Sequence, residues 1–204
     1  MTAPERTLSA APPLVTEYAN RTVEYVQRAL GVSLEFNSDT LPLLDHYLTT
    51  VPVDQAPTVA LVVLTAGAYF GEVVRRSIGG RWEGTAEEST EWRVVLPTGV
   101  SFSPTGMVAA AIACDDLEDF DSGLDAPPRM RPYVAEALTR MGEVTEEDYY
   151  SLCGRLDTLE HVHDVLLGVA AKLLGNPELR DGDDGEPESA EPDDSENETE
   201  PRPN

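Results

Sequence analysis

The chain is short of basic residues and of cysteines, and each shortage excludes a class of protein. Its 204 residues carry 14 Lys and Arg against 38 Asp and Glu, which gives a net charge of −24 at pH 7. A surface that binds nucleic acid or an anionic membrane needs clustered basic side chains, so neither is predicted as a partner. Two cysteines, Cys114 and Cys153, are too few for a disulfide framework and favour a reducing, cytoplasmic location.

Sequence motifs of the common catalytic and cofactor sites are also missing. There is no G-x-x-x-x-G-K-[ST], no G-x-S-x-G and no G-x-G-x-x-G. His161 and His163 are two apart on a predicted helix, so they point to nearly opposite sides, unlike a metal-binding i,i+4 pair. The acidic loop 115–125 does not fit the EF-hand pattern. With Asp119 at the first position and Asp121 at the third, Gly123 falls at the fifth position instead of the sixth. No cofactor or metal is expected, and a non-enzymatic function is favoured.

Composition divides the chain into three parts. Residues 1–12 show no periodic pattern and no signal peptide, and they are predicted to be a flexible N-terminus. Residues 13–176 are expected to form a single domain. Residues 177–204 are predicted to be a disordered acidic tail, because the stretch from Glu178 holds 12 acidic and two basic residues with almost nothing apolar.

Apolar residues spaced three and four apart predict that the domain is mostly helical. A first helix ends at Gly31, and a second begins within 38–40. The helix over about 57–78 is apolar nearly all round, so it is expected at the centre of the core. Its uncharged run before Glu72 is about a dozen residues, against roughly 20 needed to span a bilayer. Further helices are predicted from 104 to about 114 and over 129–141.

A change of period after Gly79 and Gly80 predicts a small sheet. Three short antiparallel strands are expected at 81–84, 91–96 and 100–102, with a loose turn at 86–90. The predicted fold class is therefore α+β and mostly helical. A central apolar helix is surrounded by amphipathic helices and covered at one end by a three-stranded antiparallel meander.

A long last helix is predicted over 145–175, beginning at a capping box of Thr145 and Asp148. Side chains at heptad spacing form a seam along it. This seam is expected to pack on the 129–141 helix and the N-terminal helix, or on a second copy of the chain in a homodimer. The candidate seam residues are Leu152, Leu156, Leu159, His163 and Leu166.

The segment from Gly67 to Trp82 contains the candidate binding patch. Gly67 and Gly71 permit the close approach of another backbone, and arginine and tryptophan commonly anchor protein interfaces. The alternative is structural: Glu72 pairs with an arginine and tethers the meander to the end of the helix. The candidate patch residues are Tyr69, Glu72, Arg75, Arg76, Arg81 and Trp82.

The same segment resembles a bacterial domain family of unknown function. The resemblance rests on a Gly-Ala-aromatic-x-Gly-Glu helix at 67–72, the basic pair Arg75-Arg76, and Gly79-Gly80-Arg81-Trp82, and it covers roughly residues 30–113. It implies a small α+β domain and carries no activity or active-site residue with it.

Three functions are compatible with the sequence. The first is a cytoplasmic, bacterial protein-binding or adaptor module whose partner is a protein, with a basic one suited to the acidic chain. The second is an enzyme that acts on a small anionic substrate, with Glu72 as acid/base and Arg75, Arg76 or Arg81 as the anion clamp. The third is a structural homodimer formed through the C-terminal seam.

Overall fold

A computed structural model describes residues 10–84 and 91–175 of the chain. The predicted turn at 86–90 and tail at 177–204, and most of the predicted flexible N-terminus, lie outside these residues. The contacts divide the chain after Val169, and the described part of the second unit is residues 170–175, the end of the final helix. The described helices are α1 (Pro13–Leu30), α2 (Leu41–Thr49), α3 (Ala56–Ser77), α4 (Pro104–Ala113), α5 (Arg131–Arg140), α6 (Glu146–Tyr150) and α7 (Leu152–Gly175).

Helix α3 is the central helix, as its hydropathy predicts. Every residue from Thr65 to Arg75 is buried, and α1 and α4 pack on this helix. A Cβ atom added to Gly67 would lie 2.8 to 3.0 Å from atoms of Thr105, so this glycine permits the first turn of α4 to touch α3. Among the described residues, α3 alone is long and apolar enough to cross a membrane, but 67% of its most apolar window is buried within the chain. That burial is typical of the core helix of a globular domain.

In the described residues the sheet has four strands, one more than the sequence predicted. Strands β1 (Arg81–Glu83), β2 (Arg93–Val95), β3 (Ser101–Phe102) and β4 (Leu124–Asp125) pair in chain order, all antiparallel. The predicted three-stranded meander is thus extended by the end of the acidic loop, because Phe102 pairs with Leu124. A two-residue strand is too short to show an alternating pattern, so β4 has no signature in the sequence.

The predicted continuous helix over 145–175 is wrong, because Ser151 interrupts it with an extended backbone conformation. The predicted N-cap is confirmed at its start, where Thr145 Oγ1 accepts a hydrogen bond from the Asp148 amide at 3.1 Å and donates to Asp148 Oδ2 at 2.7 Å. Helix α6 ends after one turn, at Tyr150, and α7 begins two residues later.

The beginning of α7 is fixed by a carboxylate from a distant helix. The Asp45 side chain on α2 accepts hydrogen bonds from the Leu152 amide at 2.7 Å and the Cys153 amide at 3.1 Å. Ser151 Oγ accepts a third, from the Gly154 amide at 3.0 Å. Three of the free amides in the first turn of α7 therefore have acceptors, which a negative charge at a helix N-terminus favours further.

Candidate functional site

Two places in the fold collect side chains that could serve a function: the predicted patch at the end of α3, and a groove beside α7. In the patch, Glu72 and Arg75 form a buried, two-pronged ion pair. Arg75 Nε donates to Glu72 Oε1 at 2.7 Å and its Nη2 donates to Oε2 at 2.9 Å. The two residues are only 3% and 7% exposed.

Trp82 attaches the sheet to the same carboxylate. Its indole Nε1 donates to Glu72 Oε1 at 2.7 Å, and its ring lies where a side chain at position 71 would be. A Cβ atom added to Gly71 would come within 2.2 Å of the indole. The indole also meets the ring of Trp92 edge-on, with centroids 6.1 Å apart. Trp82 therefore ties β1 to the face of α3, as the structural alternative predicts.

These donors determine the charge state of Glu72. Burial alone would raise its pKa, but hydrogen bonds from Arg75 and Trp82 and the positive charges of Arg75 and Arg76 outweigh burial, so the pKa lies below its ordinary value. The hydrogen bond to Glu72 in turn raises the pKa of Arg75. A general acid or base near neutral pH needs a carboxyl pKa shifted upward. The geometry therefore favours a structural role for Glu72.

Tyr69 is also part of the interior. It is fully buried, and its hydroxyl accepts a hydrogen bond from the Phe36 amide and contacts Thr40 Oγ1, both at 3.0 Å. Burial raises the pKa of Tyr69. Phe36 has a φ of 55°, an unusual conformation for a residue with a side chain. The Tyr69 hydroxyl therefore helps to hold this strained turn between α1 and α2.

The remaining patch residues, Arg76 and Arg81, are exposed, and only Arg76 contacts Glu72. Arg76 lies with its guanidinium carbon 4.4 Å from the centre of the Phe36 ring, and its Nε is 3.4 Å from Glu72 Oε2. Arg81 forms an exposed ion pair with Glu83 at 2.5 Å. The structure thus brings Glu72, Arg75, Arg76 and Trp82 together, as the sequence suggested, while Arg81 pairs within its own strand.

The five predicted seam residues of α7 are all buried within the chain. Four are leucines between 0% and 3% exposed, and His163 is 5% exposed with its Nδ1 3.2 Å from Thr98 Oγ1. The preceding histidine on the helix, His161, places its Nε2 3.2 Å from the Ala137 carbonyl on α5. The seam therefore faces neighbouring elements of its own chain.

The second place, which sequence reasoning missed, is a groove of about 590 Å³ between α5, the loop that follows it, α6 and the beginning of α7. Its edge exposes three large apolar side chains: Leu138 (40%), Val144 (55%) and Tyr149 (45%). Val134, Met141 and Leu124 continue the apolar lining, and the volume lies within the range of ordinary ligand pockets. We call this the α5–α7 groove.

Arg155 lines the α5–α7 groove and has an unusual environment. It is only 6% exposed, yet its Nε and Nη2 are shielded from solvent and have no hydrogen-bond partner among the described residues. Its guanidinium carbon lies 4.3 Å from the centre of the Tyr149 ring and 5.5 Å from that of Tyr150. A positive charge buried without an acceptor is costly, so this side chain needs an explanation.

The sequence did carry a signal for Arg155. It falls three residues after Leu152 and four before Leu159, which places an arginine on the apolar face of a helix. Tyr149 and Tyr150, whose rings contact the Arg155 guanidinium, are a second signal close by in the sequence.

Cys153 also lines the groove and carries a thiol, which is a potential nucleophile. Burial, a hydrogen bond to Asp45 and the nearby negative charges of Asp45 and Asp157 raise the pKa of its thiol to about 12. At neutral pH it is therefore a thiol and a poor nucleophile. No three His, Cys, Asp or Glu side chains come together as a metal site in the described part of the chain.

Comparisons with protein-family models, curated proteins and solved structures find no match to this chain. The resemblance over residues 30–113 therefore stays a prediction, and the function is argued from the two sites alone.

Proposed function

We propose that the protein is a cytoplasmic protein-binding or adaptor module, and that it takes up an apolar segment of a basic partner protein in the α5–α7 groove. The observation that carries the proposal is the edge of this groove. Leu138, Val144 and Tyr149 are each between 40% and 55% exposed, and they surround one concave apolar surface. Contiguous exposed apolar side chains around a groove are a mark of binding sites.

Charge supports a basic protein as the partner. The chain carries −24 at pH 7, and Asp148 and Asp157 stand on the wall of the groove. An opposite charge on the partner speeds encounter, and the apolar lining then holds the segment. The association rate is expected to fall as salt concentration rises, while the dissociation rate changes little.

The groove supports binding better than the patch does. Tyr69, Glu72 and Arg75 are buried and bound to other residues of the chain, so they present little surface to a partner. The α5–α7 groove in contrast combines an open apolar edge with tyrosine and arginine, which are enriched at the energetic centres of interfaces.

Selection of peptides on the full-length protein tests the proposal. The immobilised wild type should enrich apolar peptides from a random phage-displayed library. Leu138→Asp places a charge at the edge of the groove, and it should reduce binding of the enriched peptides at least about tenfold, which corresponds to about 1.4 kcal/mol.

Leu167→Asp is the matched control, because Leu167 is equally exposed, at 43%, on the surface of α7 but does not line the groove. It should bind the enriched peptides as the wild type does. The proposal is wrong if no peptide is enriched, or if both variants reduce binding equally.

A further inference from the structure

We infer that Arg155 is a carboxylate receptor in the lining of the α5–α7 groove, and that the bound segment is the carboxyl terminus of the partner. This inference rests on the proposed function and adds to it the chemistry of the bound end. Its evidence is independent of the exposed apolar edge, because it concerns a buried charge.

A second buried arginine of the chain, Arg75, shows which hydrogen-bond acceptors such a side chain requires. Arg75 and Arg155 are equally buried, at 7% and 6% exposed. Arg75 points the edge formed by Nε and Nη2 at Glu72, whose two oxygens accept one hydrogen bond from each nitrogen. The same two atoms of Arg155, Nε and Nη2, are without an acceptor among the described residues. A carboxylate is the group that fits this edge with two parallel hydrogen bonds.

An unpaired guanidinium in this position lowers the stability of the free protein. Ring contacts with Tyr149 and Tyr150 offset only part of that cost. A destabilising charge in the lining of an apolar groove is the arrangement expected of a binding site, where the ligand supplies the missing acceptor.

Tyr149 controls access to the two nitrogens. They are shielded from solvent in the unliganded chain, and the Tyr149 ring covers the guanidinium at 4.3 Å. This ring is 45% exposed, so it has room to turn outward and admit a carboxylate. The segment's apolar side chains would then lie against Val134, Leu138 and Met141.

A carboxylate suits the groove better than a phosphate does. Asp148 and Asp157 line the same groove, and a doubly charged anion would be repelled by both. A chain terminus carries a single negative charge, and it presents that charge next to an apolar side chain.

The test uses the tripeptide N-acetyl-Leu-Leu-Leu, once with a free carboxylate and once as the carboxamide. Both are titrated into the full-length, ¹⁵N-labelled protein, and the shifts of the groove amides give the two affinities. The free acid should bind the wild type at least about tenfold more tightly than the amide, because only the acid offers a charged acceptor to the Arg155 guanidinium. In Arg155→Gln this preference should fall to about one.

Arg140→Gln is the matched control for loss of a positive charge nearby. Arg140 pairs with Glu136 on the exposed surface of α5, and its substitution should keep the preference for the acid. Equal binding of acid and amide by the wild type would overturn the carboxylate assignment and leave the proposed function standing. The carboxylate assignment is also wrong if the free acid fails to bind at millimolar concentration, or if inorganic phosphate displaces it at equal concentration.

Arg155→Met separates a binding role from a structural one. Methionine fills a similar length without a charge, so the melting temperature of this variant should rise while the preference for the acid is lost. A lower melting temperature would show that Arg155 stabilises the free fold, and the receptor assignment would then be wrong.

Discussion

At the scale of single residues, the chain holds two buried arginines in opposite states. Arg75 is paired with Glu72 through Nε and Nη2 and belongs to the fold, whereas the same two nitrogens of Arg155 have no acceptor among the described residues, and Arg155 lines a groove. Burial alone does not distinguish these roles, because both side chains are almost inaccessible. The distinction lies in whether a described residue supplies the carboxylate.

Glu72 gives a prediction about acid stability. Glu72→Gln should lower the free energy of unfolding at pH 7 by about 3–5 kcal/mol, because it leaves Arg75 buried without its counter-charge. The pKa of Glu72 is lower in the folded chain than in the unfolded one, so its contribution is present above the ordinary value of 4.5. That contribution is lost as the pH falls through the folded pKa. The gap between wild type and variant should therefore narrow below about pH 4.5.

Urea denaturation at a series of pH values measures this gap. Glu83→Gln is the control, because its exposed pair with Arg81 is worth at most about 1 kcal/mol. A gap between wild type and Glu72→Gln that stays constant down to about pH 3 would mean that Glu72 does not titrate as the structure requires.

At the scale of helices and strands, the sequence pattern correctly predicted the helix ends that local interactions determine. The end of α1 at Gly31 is confirmed, with a left-handed φ of 75°, as is the start of α4 at Pro104. The break at Ser151 was missed because its cause is Asp45, which lies 107 residues from Leu152 in sequence. No local pattern contains that contact.

The two candidate sites also differ in whether local spacing or the tertiary fold brings their residues together. Glu72, Arg75 and Arg76 lie within two turns of one helix, so their proximity could be predicted from spacing alone. The α5–α7 groove is built from β4, α5, α6, a loop and α7, which only the tertiary fold brings together. Its traces in the sequence were Arg155 on an apolar helix face and the adjacent Tyr149 and Tyr150.

Two glycines of α7 give a prediction about local and tertiary preferences. Helix propensity favours alanine over glycine by about 1 kcal/mol at both Gly154 and Gly168. At Gly154 an added Cβ would lie 2.0 Å from the Asp148 carbonyl oxygen in α6, whereas at Gly168 it meets no atom within 4 Å. Gly154→Ala should therefore destabilise the protein by about 1–3 kcal/mol, and Gly168→Ala should stabilise it by about 0.5–1 kcal/mol.

Thermal or urea unfolding of the two variants side by side measures this difference. Because the substitution is the same and both sites lie on one helix, the difference in sign isolates the contact with α6. Equal stabilisation by both substitutions would show that α6 does not press on α7 at Gly154.

At the scale of the whole molecule, the buried seam bears on assembly. A homodimer through Leu152, Leu156, Leu159, His163 and Leu166 would need these side chains exposed in the single chain. They are instead buried against it, four of them at 3% exposure or less. The structural-homodimer hypothesis therefore lacks an exposed seam among these five residues.

Substitutions at Leu159 and Leu167 test whether the seam belongs to the core of one chain or to an interface between two chains. Leu159→Ala removes a fully buried side chain, and it should lower the free energy of unfolding by about 2–5 kcal/mol without changing the molar mass measured by light scattering. Leu167 is 43% exposed on the same helix, so Leu167→Ala should change stability by less than about 0.5 kcal/mol. If Leu159→Ala halves the mass of a folded wild-type dimer, the seam is an interface between chains and its burial within one chain is wrong. A loss of stability at constant mass places the seam in the core, because a cavity there weakens the fold of each chain and separates no subunits.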